Sequence, residues 1–168
     1  MRDITESENG LLSINETTVL TGIQAGVYGD QESYHVKLDY KGSSIKINAR
    51  IGVQSSCSVN CVIITQKENT DFEIESRDHL FILFSKNKTR LKIKCKNTQL
   101  RHFLEGNSIL RELEKMAKET KFEPYIIGSK TEGSLKLTAE YHLEFPQRDL
   151  TFKPLVQLFK DLIDYFLN

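Results

Sequence analysis

The stretch Tyr34-His35-Val36-Lys37-Leu38-Asp39-Tyr40-Lys41-Gly42-Ser43-Ser44-Ile45-Lys46-Ile47-Asn48-Ala49-Arg50-Ile51 decides the fold class. Tyr34, Val36, Leu38 and Tyr40 alternate with His35, Lys37 and Asp39, and Ile45, Ile47, Ala49 and Ile51 alternate with Lys46, Asn48 and Arg50. A period of two places each apolar set on one face of an extended strand. Lys41-Gly42-Ser43-Ser44 lies between the two runs and has the composition of a turn. The stretch therefore reads as an antiparallel hairpin with one buried face.

Further strands are expected downstream at 58–65, 71–75, 80–85 and 89–95, with Lys86-Asn87-Lys88 turning the last two into a second hairpin. Leu80-Phe81-Ile82-Leu83-Phe84 is apolar on both faces, which predicts a central strand. The pattern then becomes helical. Asn97 is a candidate N-cap, followed by Leu100, Phe103 and Leu104 on one side, with Gly106 as the stop. Asn107 or Ser108 opens another helix, whose stripe is Ile109, Leu110, Leu113, Met116 and Ala117. Tyr125-Ile126-Ile127 begins a new strand, and the chain is expected to turn between Gly128 and Gly133. A long alternating strand from Leu135 to Phe145 follows and is closed by Pro146. The last helix is expected over about 153–167, with Pro154 in its first turn, where a missing N–H costs little.

Upstream of the hairpin, residues 1–16 are polar and acidic and read as a flexible lead-in, with a strand beginning near Thr18. Residues 17–168 read as a single domain, since no Pro/Gly/Ser-rich linker divides them. The order of elements specifies an α+β fold. Its expected parts are a largely antiparallel, curved sheet of about seven to eight strands, an αββα C-terminal portion and a packed C-terminal helix.

The bulk numbers narrow the function classes. The 168 residues carry 23 basic and 23 acidic side chains, a balance that disfavours nucleic acid as a partner. Nothing in the sequence approaches the roughly 20 apolar residues of a membrane helix, and no hydrophobic signal core opens it. A cytoplasmic protein, or a soluble part of a larger or exported one, is expected. The three cysteines, Cys57, Cys61 and Cys95, make no disulfide framework. A structural zinc site needs four ligands in tight pairs, and His35, His79, His102 and His142 are scattered, so neither metal nor cofactor is expected.

One feature is distinctive. Lys86, Lys88, Arg90, Lys92, Lys94 and Lys96 occupy successive even positions, Arg101 follows, and no acidic residue interrupts them. On a strand such a row shares one face, while Leu91, Ile93 and Cys95 face inward. Its functional reading is an anion-facing patch for an acidic protein or an anionic surface. Its structural reading is a solvated face balanced by Asp71, Glu73 and Glu75, or a lysine-guarded sheet edge. Aromatics are not interleaved on the basic face, which further weakens nucleic acid. No nucleophile elbow, phosphate loop or dinucleotide fingerprint occurs. The one acid–base constellation is His142 between Glu140 and Glu144. The sequence thus points to a non-catalytic binding or interaction module. The alternatives are a small-molecule or lipid carrier, with a cavity between the sheet and the terminal helix, and an enzyme of unrecognised type.

Overall fold

The computed structural model describes residues 1–20, 28–52, 55–77 and 89–168. Over these described residues the fold is α+β: one open, curved, eight-stranded antiparallel sheet with its helices packed into a common core. The strands are β1 (Leu11–Leu20), β2 (Tyr28–Tyr40), β3 (Ser43–Ile51), β4 (Ser56–Ile64), β5 (Phe72–Ser76), β6 (Leu91–Cys95), β7 (Tyr125–Thr131) and β8 (Ser134–His142). The helices are α1 (Arg2–Ser7), α2 (Thr98–Gly106), α3 (Ser108–Glu119) and α4 (Phe152–Leu167), the last preceded by a 3-10 turn, Arg148–Thr151.

The decisive hairpin is β2–β3. Tyr40 pairs with Ser43, so the turn consists of Lys41 and Gly42 alone. Both have positive φ, 45° and 78°, as a type I′ turn requires, and glycine takes the second position without a steric cost. Ser43 and Ser44 belong to the strand. The central strands β3, β4 and β8 bury alternate residues. Ile45, Ile47 and Ala49 are buried on β3, Cys57, Val59, Cys61 and Ile63 on β4, and Leu135, Leu137, Ala139 and Tyr141 on β8. Against them lies α4, which buries Leu155, Leu158, Phe159, Leu162, Ile163 and Phe166. The space between sheet and α4 is filled by these side chains, most of them wholly inaccessible.

The strand order is β1-β2-β3-β4-β8-β7-β5-β6. The last two strands are therefore not an appended unit: β8 pairs with β4, and β7 with β5. Both helix caps expected from sequence are present. The Asn97 side chain accepts from the Leu100 N–H at 3.0 Å, and that of Asn107 from the Leu110 N–H at 2.9 Å.

Some boundaries differ from the sequence expectation. The first sixteen residues hold α1, with Ile4 buried, and the first part of β1, which starts at Leu11 rather than near Thr18. Gly128 is not a turn residue. It lies within β7 opposite Phe72, whose ring covers it, and a Cβ there would sit 2.3 Å from Phe72 Cε1. The turn is confined to Glu132-Gly133. β8 stops at His142, although Leu143 and Phe145 stay buried beyond it. The central strand expected at 80–85 and the turn at 86–88 lie outside the described residues. Among the described residues, no helix is long and apolar enough to cross a membrane.

α4 is the principal partner of the sheet, so truncating its central side chain should leave a large cavity. Phe159→Ala is expected to cost about 3–5 kcal/mol, measured by urea denaturation. A loss below about 1 kcal/mol would show that α4 is not a core element.

Candidate functional site

With α4 on the core face, the outward side chains of the sheet form a second surface that alternation alone defines. Three parts of it carry chemistry: the β5–β6 end, the adjoining start of α2, and the depression across β3, β4 and β8.

At the β5–β6 end, register sets Glu73 opposite Lys94 and Glu75 opposite Lys92. The ion pairs follow: Lys94 to Glu75 at 2.5 Å, Lys94 to Glu73 at 3.2 Å and Lys92 to Glu75 at 3.3 Å. Hydrogen bonding from Lys94, then from Lys92, holds the Glu75 carboxyl below its ordinary range, and Glu75 in turn raises the Lys94 ammonium. The cations of the row are thus interleaved with the carboxylates of the neighbouring strand. Such exposed pairs contribute tenths of a kcal/mol to about 1 kcal/mol each.

Arg90 is a correction to the row. Even spacing puts it outward, yet its side chain is wholly buried. It precedes the first residue of β6, where strand alternation does not operate, and both it and Leu91 turn inward. Its Nη2 meets Glu123 Oε1 at 2.5 Å, and its Nε donates to the Ala117 carbonyl, in the last turn of α3, at 3.3 Å. Its own backbone N–H donates to Glu114 Oε1. A guanidinium suits the carbonyl end of a helix, and the planar fork reaches both acceptors at once. Arg90 therefore ties the start of β6 to α3 and to the approach to β7.

Lys86 and Lys88 lie outside the described residues. Lys96 is exposed just past β6, and Arg101 on α2 donates to the Cys95 carbonyl. Lys94, Lys96 and Arg101 border one depression of about 710 Å3, together with Asp71, Glu73, Ile93 and Ile127.

The third part was legible only in fragments. Register aligns His35 with Asn48, Asn48 with Ser58 and Ser58 with Glu140 across four strands. These residues, with Arg50, Ser56 and His142, line a polar depression of about 570 Å3. The His35 ring Nδ1 is 2.8 Å from Asn48 Oδ1. Glu144 lies past the strand end and is not part of the lining. His35 and Arg50 were readable as outward residues of the hairpin. Their approach to His142 depends on β8 pairing with β4, which no local pattern announces.

The cysteines are buried and unbridged. Burial pushes the Cys57 thiol up to about 12 and the Cys61 thiol up to about 11. Both are therefore held protonated near neutral pH, the form poorly suited to nucleophilic attack.

The lowered Glu75 carboxyl carries a pH signature. Its stabilising effect is present above the ordinary carboxylate range and is lost as pH falls through the depressed value. Thermal melts in acid should show this loss, and Glu75→Gln should flatten it while leaving the neutral-pH melting temperature only slightly lower. An unchanged acid limb in Glu75→Gln would remove Glu75 from the account.

No protein-family model, no curated protein and no solved structure matches the chain.

Proposed function

We propose that the chain is a non-catalytic interaction module whose contact surface is the outward face of the sheet, with Lys92, Lys94, Lys96 and Arg101 supplying point charges at its β5–β6 end. The observation that carries this reading is one-sided packing. The core side of the sheet is filled by α4 and its neighbours, whereas the outward residues of β3, β4, β7 and β8 remain exposed or half-buried. Because Lys92 and Lys94 are already interleaved with glutamates, the surface suits a partner protein that presents a short acidic segment. Lys96 and Arg101, which hold no carboxylate partner among the described residues, are the cations best placed to meet such a segment.

The probe is polyglutamate. The full chain should bind it weakly, and binding should fall steeply between low and physiological salt. Lys96→Glu with Arg101→Glu should abolish binding with little change in thermal stability. Lys92→Glu with Lys94→Glu should instead lower stability, because four carboxylates then face one another. Absence of salt-sensitive binding by the wild type would reduce the basic end to a solvated sheet edge.

A second reading, catalysis, is supported by the concave polar lining around His142. His142, which lines one depression with Glu140, Arg50 and His35, could move a proton while Arg50 holds a developing anion. It would appear as hydrolysis of an activated ester that is lost in both His142→Ala and His35→Ala. Activity unchanged by either substitution, or none in the wild type, removes it.

A further inference from the structure

The two edges of the sheet are built differently. β6 is five residues long and guarded. It carries Lys92 and Lys94, its terminal Cys95 carbonyl is taken by Arg101, and the N–H of Arg90 just before it goes to Glu114. These are the devices that keep an edge strand from pairing with another chain. β1 has none of them. It runs for ten residues, Leu11–Leu20, without lysine, arginine, proline or glycine. It pairs with β2 along its whole length, and among the described residues nothing pairs with its other side. In an antiparallel ladder alternate residues direct N–H and C=O away from the neighbouring strand, so half of β1 presents unpaired backbone groups. Leu11 and Ile14, 71% and 40% exposed, stand on the same strand.

We propose that β1 is an intermolecular pairing edge, and that its partner is the β1 strand of a second copy of this chain, antiparallel about a two-fold axis through Asn15. The axis stands normal to the sheet, keeps both sets of helices on one side and joins two sheets into one. Directly opposed residues then share a face, as antiparallel pairing demands. Ser13 meets Thr17 of the copy, Leu12 meets Thr18, and Asn15 meets its own equivalent. The single charge of the strand, Glu16, faces Ile14 rather than another Glu16. A strand with one acid and no base offers little to recognise a charged foreign segment, whereas its own copy matches it in length and face and keeps the two Glu16 side chains out of direct opposition. This surface is distinct from the outward face and from the cations at the β6 end.

Sedimentation equilibrium of the full chain over a wide concentration range should show a monomer–dimer equilibrium. Ser13→Lys with Thr17→Lys sets like charges opposite one another twice across the axis, and the dimer dissociation constant should rise about tenfold or more. Ser13→Lys with Thr17→Glu sets opposite charges there and should restore or tighten the dimer. A wild type that stays monomeric throughout overturns the proposal. So does a dimer indifferent to the double lysine variant, or one weakened equally by both double variants. Should a variant fail to fold, amide exchange of the wild type decides. Alternate amides of β1 should gain protection as concentration rises, and unchanged protection overturns the proposal.

Discussion

Everything in this molecule follows from the burial of one face of an antiparallel sheet against one amphipathic helix. Phe159, Leu162 and Ile163 on α4 meet Leu135, Leu137, Val59 and Ile63 in a layer without accessible surface. Apolar burial of this kind is the dominant favourable term in folding, and it fixes register, because a one-residue slip would turn every strand inside out. The contacts that anchor the helix rim, Lys41 to Asp164 at 2.7 Å and Asn107 to Asp161 at 2.9 Å, take their positions from that layer. So do the last carbonyls of α4, which receive Lys67 and Thr65. The outward face is the complement of the same constraint. Its residues are free to be polar because the alternation that buries their neighbours leaves them out.

The sequence carried local information well. Alternation placed β2, β3 and β8, and the short acceptor side chains of Asn97 and Asn107 marked two helix starts, because these signals depend on neighbouring residues only. Gly128 misled. Glycine signals a turn or a close approach equally, and only the Phe72 ring on an adjacent strand decides between them. α1 and the early start of β1 were hidden by polar composition, since an edge strand needs few buried side chains.

The candidate site was legible in the same measure. That the lysines of β6 face outward followed from their spacing, and the acids of β5 were visible as possible partners. What joined them was register, which sets Glu73 against Lys94 and Glu75 against Lys92. Arg90 lay beyond such reasoning. A buried guanidinium is tolerated only where acceptors wait, and its acceptors, Ala117 and Glu123, are far away in sequence. The gathering of His35, Arg50 and His142 has the same origin, since it spans strands that meet only through the pairing of β4 with β8.

That pairing has a consequence for the order of assembly. Among the described residues, the paired strands β5 and β6 join the meander of β1 to β4 within the sheet only through β7 and β8, which stand between them. Until residues 125–142 are in place, the sheet exists as two pieces with unsatisfied inner edges, one along β4 and one along β5. Loop-closure entropy must be met before these distant strands reward it, so closure is intrinsically slow. During synthesis the N-terminal meander waits with β4 uncovered, and its exposed Val62 and Ile64 lie on that waiting strand. The last strand pair acts as a keystone, and the time before it arrives is the interval in which this chain is most open to mispairing.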